Sequence, residues 1–318
     1  MIGVDIDHAV ELLEQNLPVA IPTETVYGLA ANALNEDAIV SVFKAKNRPF
    51  FDPLILHVVN IFEVNNYVES INETALKLAN AFWPGPLTLL LKKKPIIPYI
   101  ATAGSDYVAV RIPNHPMTLS LLSQLEFPLV APSANPFGFI SPTTAEHVEA
   151  QLGHVIPYIL DGDECAVGIE STIVDCSGDE VVIMRLGGLD VAHIEAVIGK
   201  KVVLNISQNS NPNAPGQLDK HYSPNKPFKI VDNIEAHIKE YADQKISVLS
   251  FGEIHLPAHI INYNLSEKGS LEEAAKNLFS MMHLLDQSDS DMIITDLVPP
   301  EGLGLAINDR LMRAAHIA

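Results

Sequence analysis

Lys46 and Arg48 stand two residues apart in "KAKNRPFFDPLILHV" (Lys44 to Val58), with His57 close behind, in a chain whose formal net charge is -19. Their side chains can reach a shared polyanion such as a phosphate chain. They suit the end of the preceding helix equally well, because positive charge is favoured at a helix C-terminus. His57 sits inside an apolar run, where a lone histidine is more often a satisfied core residue than a ligand-binding one. Arg48, Arg111 and Arg185 are three of the five arginines and fall in separate segments. The planar guanidinium fork fits carboxylate and phosphate, so convergence of the three would build an anion site. Three unrelated surface ion pairs are the alternative.

Polar turns supply the remaining candidates. "PTETVYG" (Pro22 to Gly28) puts two threonines and a glutamate after a short strand, where hydroxyls bind a small polar ligand or simply close the turn. "APSANPFGFISPT" (Ala131 to Thr143) offers Ser133, Asn135 and Ser141 among residues small enough to let a ligand approach the backbone. "GIESTIVD" adds Ser171 and Thr172 in the same style. There is no Ser–His–Asp order, no strong metal cluster, and neither usual glycine-rich nucleotide fingerprint. The chemistry this favours is binding and orientation of anions, without a covalent intermediate.

These residues must be carried by alternating strands and helices. Apolar periodicity predicts helices over Asp5–Asn16, Glu36–Ala45, Asn72–Phe82, Met117–Leu125 and Thr144–Leu152. Short apolar runs predict strands at Leu54–Val59, Leu87–Leu91, Tyr107–Ile112 and Tyr158–Asp161, with "ESTIVDCS" and "VVIMRLG" as a hairpin. Residues 1–206 therefore read as one mixed α/β domain. Residues 207–227, "SQNSNPNAPGQLDKHYSPNKP", change to Asn, Pro, Ser and Gly and read as a linker. Residues 228–318 alternate strand and helix again, as a smaller Rossmann-like α/β unit.

Bulk properties narrow the class. Hydrophobic residues make up 47% of the 318-residue chain, enough for one large core or two moderate ones. No apolar run is long enough for a transmembrane helix, and the N-terminus lacks the marks of a signal peptide. The two cysteines, Cys165 and Cys176, point to a reducing cytoplasm. The acidity argues against wrapping nucleic acid over a broad surface.

Taken in order, "PTETVYGL", "KNRP", "WPGPLT", "VAVRIP", "APSAN", "SPT" and "ESTIVD" resemble the YrdC/Sua5 family, the threonylcarbamoyl-AMP synthases. "APGQLDKHYSP" and the α/β unit after it resemble the longer, two-domain Sua5 form. The resemblance covers nearly the whole chain. It implies a YrdC-like open twisted mixed sheet with helices and a positive concave surface, followed by the smaller α/β domain. It implies an L-threonylcarbamoyladenylate synthase that joins L-threonine, bicarbonate and ATP and releases pyrophosphate. The product would serve N6-threonylcarbamoyl modification of adenosine 37 in tRNA, through a tRNA threonylcarbamoyltransferase, with direct tRNA contact not required.

The same resemblance assigns Thr25, His57, Arg111 and Ser171 to threonine. It assigns Lys46, Arg48, Ser133, Asn135, Ser141 and Arg185 to ATP, with the Ala131 backbone lining the pocket. Lys46 and Arg48 would face the phosphates as the catalytic pair, Arg48 as an exposed pocket arginine whose removal costs little stability. Tyr222 would reach over the nucleotide from the linker, which would act as a lid. Asp52 and Tyr107 would meet ATP through backbone atoms. Mg²⁺ would accompany the triphosphate with no protein-held metal. Two other readings compete. A double-stranded-RNA-binding module would use the concave surface but conflicts with an isoelectric point near 4.9. A carbamoyl-transfer domain of the hydrogenase-maturation type would need zinc-finger and acylphosphatase segments that this chain lacks.

Overall fold

A computed structural model describes residues 1–205, 221–241 and 244–315. The first unit runs β1 (Ile2–Gly3), α1 (Ile6–Glu14), β2 (Val19–Ile21), β3 (Gly28–Asn32), α2 (Glu36–Lys46), β4 (Ile55–His57), α3 (Ile61–Tyr67), α4 (Glu73–Phe82) and β5 (Leu87–Lys92). It continues with β6 (Tyr107–Arg111), α5 (Pro116–Leu122), β7 (Leu129–Val130), α6 (Ala145–Leu152), β8 (Tyr158–Leu160), β9 (Thr172–Asp175), β10 (Val182–Arg185), α7 (Val191–Ile198) and β11 (Val203–Leu204). Side chains start most of these helices. Asp5, Asn35, Asn72 and Thr144 each accept a bond from a first-turn backbone N–H, satisfying a donor the helix itself leaves unpaired.

The strands form one mixed sheet in the order β1-β8-β2-β3-β7-β4-β6-β5-β9-β10-β11. Parallel pairing of β4 with β6 sets His57 directly opposite Arg111, each the last residue of its strand. Beyond them, β5 runs parallel to β9 and β10 returns antiparallel to it. The start of β9 and the end of β10 thus lie at the same sheet edge as the ends of β4 and β6. In open α/β sheets such an edge is where ligands bind.

The second unit is a parallel four-stranded sheet, in the order β12 (Phe228–Ile230), β15 (Met292–Thr295), β13 (Ile246–Ser250), β14 (Ile261–Asn264). Helices α8 (Ile234–His237), α9 (Leu271–Gln287) and α10 (Gly304–Ala314) accompany it. Helix α8 is a single turn. After α8 the chain tightens into a 3₁₀ turn at Ile238–Tyr241, which brings Tyr241 onto Ile246 and Ile294. Short β1, β3 and β11, and helices α3 and α7, had no counterpart in the sequence reading. They are too brief, or in β3 ("GLAAN") too poor in large side chains, to show a period.

Both units share one apolar core. Leu29, Leu56 and Ile183 of the first belong to the same buried cluster as Leu249, Phe279 and Ile307 of the second, with Tyr222 between them. Because β11 pairs with β10, the large sheet extends through Leu204. Residues 206–220, including Gly216 and Lys220 of the expected lid, lie outside the described residues. Among those described, no helix is long and apolar enough to cross a membrane.

Candidate active site

At the edge where β4, β6, β9 and β10 meet, a cleft of about 500 Å³ including its mouth opens between the sheet and the polar turns. A concave opening lined by a few convergent polar groups is the usual form of a small-molecule site. Its walls include Thr25, Arg48, His57, Arg111, Ala131, Ser133, Ser171 and Arg185. Three arginines scattered over the sequence therefore do converge. Each is at most 7% exposed, so their field acts in a low-dielectric setting rather than in bulk water.

Arg111 leaves the end of β6 with Nε donating to the Gly85 carbonyl at 3.3 Å. Its Nη2 lies 2.8 Å from Glu24 Oε2 but finds no hydrogen-bond partner in line. Glu24 Oε2 instead accepts from the Asn114 backbone N–H at 3.0 Å. Arg185 turns back on β9, with Nη2 donating to the Ser171 carbonyl at 2.8 Å and to Ser171 Oγ at 3.1 Å. Thr88 Oγ1 lies 2.8 Å from that same hydroxyl. Thr25 Oγ1 is held 2.9 Å from Thr23 Oγ1 inside the turn.

His57 is buried, with Nδ1 3.1 Å from the Ile55 carbonyl oxygen. A carbonyl only accepts, so Nδ1 carries the proton and Nε2 remains an acceptor. Burial, with the Arg111 charge adding to it, pulls this imidazole down to about 3. His57 is thus a neutral acceptor at neutral pH. The ring is buried as a core histidine would be, and it also borders the cleft.

Several expectations change. Arg48 is not an exposed arginine. It is buried, its Nη2 sits 2.9 Å from Asp52 Oδ2, and it donates to the carbonyls of Asp52 and Pro53. The left-handed Asn47 (φ 51°), capping α2, turns the chain so that Arg48 points inward. Lys46 does not line the cleft. Its ammonium is buried and donates to the Ser133 and Asn135 carbonyls, so it braces the "APSAN" turn from behind. Burial, then repulsion from Arg48, pulls Lys46 well below the ordinary lysine range, with Asp52 opposing. Asp52 is fully buried; burial pushes its carboxyl up, against the pull of Arg48, Lys46 and Arg185.

Asn135 spends its amide on the Pro136 and Phe139 carbonyls, and Ser141 donates to Glu170 Oε1 at 2.7 Å. Both stand one layer behind the wall. Tyr222 does not reach over the opening. It is 1% exposed and stacks on Phe279 with ring centroids 5.3 Å apart, inside the junction of the two units. Its neighbour His221 lines the cleft instead. Tyr107 lies apart: it begins β6 whereas Arg111 ends it, and it borders another cavity with Leu90, Lys92 and Cys176.

Sequence reasoning passed over Glu170 and His221 as wall residues. The signals were the glutamate inside "GIESTIVD" and the histidine beside Tyr222. Buried polar atoms without hydrogen-bond partners are uncommon, yet Arg111 Nη2 and His221 Nδ1 are two of them, both on residues of this wall. Burial, followed by the charges of Arg48 and Lys46, holds His221 well below the ordinary histidine range. Among the described residues no group of three or more His, Cys, Asp or Glu is arranged to hold a metal.

Known proteins match this chain along its length. The Sua5/YciO/YrdC family model, described as "Telomere recombination", matches residues 11–187. The model described as "Threonylcarbamoyl-AMP synthase, C-terminal domain" matches residues 189–316. The chain is 40% identical to the threonylcarbamoyl-AMP synthase of Bacillus subtilis, over 98% of this chain and 92% of the relative. It is 39% identical to that of Pyrococcus abyssi, over 93% and 90%. The crystal structure of P. abyssi Sua5 complexed with L-threonine superposes with a TM-score of 0.90 at 37% identity, covering 98% of this chain and 94% of that one. Two family models that meet almost end to end, and relatives matched across both units, place the arginine-lined cleft and the domain behind it in one lineage: the chain belongs to the YrdC/Sua5 family, in its two-domain Sua5 form.

Proposed function

We propose that this cleft is where the chain works as an L-threonylcarbamoyladenylate synthase. It joins L-threonine, bicarbonate and ATP into threonylcarbamoyl-AMP and releases pyrophosphate, for the N6-threonylcarbamoyladenosine modification of tRNA. The observation that carries this reading is the convergence of Arg48, Arg111 and Arg185 with Thr25, His57 and Ser171 in one buried cleft. Threonine presents a carboxylate and a hydroxyl. Arg111, whose Nη2 faces Glu24 at 2.8 Å without a hydrogen bond in line, suits the carboxylate, while the His57 Nε2 acceptor, Thr25 and Ser171 suit the hydroxyl and amine. Arg48, Arg185, Ser133 and the Ala131 backbone form the ATP side, and His221 closes it. Lys46, Asn135 and Ser141 act there by holding the walls, and Asp52 by holding Arg48.

The reaction needs no protein nucleophile. Threonine's amine adds to the carbon of bicarbonate-derived CO₂ and loses a proton, giving a carbamate. A carbamate oxygen then forms a bond to the α-phosphorus as the bond to pyrophosphate breaks. Buried arginines offset the charge that spreads over the phosphoryl oxygens, and the cleft fixes the two substrates in line. Mg²⁺ enters as part of the MgATP substrate, because the nearby carboxylates of Asp52, Glu24 and Glu170 are each engaged by an arginine.

The division into residues 1–206, 207–227 and 228–318, the cytoplasmic setting, and transfer of the product to a tRNA threonylcarbamoyltransferase belong to the same proposal. Pyrophosphate release with ATP and bicarbonate, with and without L-threonine, tests it. Release should depend on threonine. Release that is absent, or equal without the amino acid, overturns the assignment.

A further inference from the structure

Glu170 is the one carboxylate among the described residues of the cleft wall, and both its oxygens are occupied from elsewhere. Oε1 accepts from Ser141 Oγ at 2.7 Å. Oε2 accepts from Arg310 Nε at 3.2 Å and Nη2 at 3.1 Å. Arg310 is not part of the first unit. It projects from α10, the last helix of the second, and is fully buried. Its guanidinium carbon lies 5.5 Å from the centre of the Tyr222 ring, and its Nη1 reaches Asp309 at 3.2 Å. A second tie lands on the same wall: His283 of α9 sits 3.2 Å from the Ser141 carbonyl and stacks on His147, centroids 4.0 Å apart.

We propose that Arg310 is a positioning residue for the synthase cleft, holding Glu170 ionised and fixed, and through it Ser141 and the balance of charge before Arg185. The second unit then completes the cleft rather than merely following it. This rests on the synthase reading above. A carboxylate buried without a cationic partner takes up a proton instead of paying the cost of desolvation. Here burial does push Glu170 up, but Arg310, then Arg185 and the Ser141 hydroxyl, outweigh it and hold the group below its ordinary value. The charged or titratable groups facing it are Arg310 and Asp309 of α10, Arg185 of β10, and Tyr222; His147 and His283 stand behind Ser141. Without Arg310, protonation would cancel the charge-assisted bond from Ser141 and leave Arg185 facing a neutral group.

The test compares the full-length wild type with Arg310→Met, Glu170→Gln and the double variant. Threonine-dependent pyrophosphate release is followed from mildly acid to mildly alkaline pH, and ATP-induced melting shifts are followed alongside. Arg310→Met should lose about tenfold or more in kcat/KM for ATP at neutral pH. Its acid limb should move to higher pH. The double variant, a neutral pair, should lack that moved limb and exceed Glu170→Gln, which leaves Arg310 buried and unpaired. A purely structural role would lower the melting temperature of Arg310→Met and leave its pH profile unchanged; that result overturns the proposal. So does a double variant no better than Glu170→Gln, which decides the matter even if Arg310→Met fails to fold. Failure of the synthase reading would look different: the wild type itself would show no threonine-dependent release. The pH dependence of the ATP-induced melting shift, which needs no turnover, then decides on Arg310.

Discussion

Replacing Arg48 by alanine removes a cation from the cleft wall and, at the same time, the partner of a buried acid. Arg48 Nη2 lies 2.9 Å from Asp52 Oδ2, and neither Asp52 oxygen has a hydrogen bond to fall back on. Asp52 is fully buried. Breaking a buried pair from one side costs about 3–5 kcal/mol, because the remaining charge is stranded. For a chain of this size that is a fall in melting temperature on the order of 10 °C. Arg48→Ala should therefore lose both pyrophosphate release and stability. Arg48→Met/Asp52→Leu removes both charges, so it should recover most of the stability while staying inactive. The pH dependence has a definite sign. Burial already raises the Asp52 carboxyl above its unfolded value despite Arg48, so its favourable contribution is full below the unfolded value and lost as pH rises through the folded one. Without Arg48 that penalty at neutral pH grows, and the deficit against wild type should shrink on acidification. Thermal melts of the three proteins at two pH values, beside the release assay, provide the check. If Arg48→Ala melts like wild type at neutral pH, or the double variant is as unstable as the single, the buried-pair reasoning is wrong.

Two further outcomes follow from the same cleft. His57 is held at about 3 against an ordinary 6.5, so over that interval the unfolded chain binds a proton that the folded one does not. Acidification from about pH 7 to about pH 5 should then cost ~2 kcal/mol through this group alone, with nothing lost above pH ~7; urea titrations should show the slope reduced in His57→Gln, and an unchanged slope would count against a buried neutral ring. On the proposed assignment of Arg111 to the carboxylate and of hydrogen-bonding groups to the hydroxyl, L-valine should be used at least ~100-fold less efficiently than L-threonine, because it leaves buried polar partners unpaired; equal turnover in the release assay would refute that pocket.

The alternation of short apolar strands with capped helices was readable from local pattern. So was the hairpin of β9 and β10, since turn residues and apolar runs act over a few neighbours. The motifs "PTETVYGL", "APSAN" and "ESTIVD" likewise named residues that do line one cleft, among them Thr25, Ala131, Ser133 and Ser171. Pattern alone could not say which charged side chains face the ligand. Lys46 and Arg48 look equivalent in "KAKNRP", yet the left-handed turn at Asn47 sends one behind the "APSAN" turn and the other onto the wall. Tyr107 and Arg111 share a strand, and only the length of that strand separates their surroundings.

What the sequence by itself determined is the set of elements and the lineage, because hydrophobic period, caps and turn residues are local and the motifs survive as strings. What only the tertiary structure decided is the pairing of charges across distance. Register between β4 and β6 sets His57 opposite Arg111. Docking of α10 against the first unit puts Arg310 on Glu170, 140 residues away in the chain. Both contacts depend on where whole elements pack, and the energy of a buried charge depends on what surrounds it in space, so neither is written in any short stretch of residues.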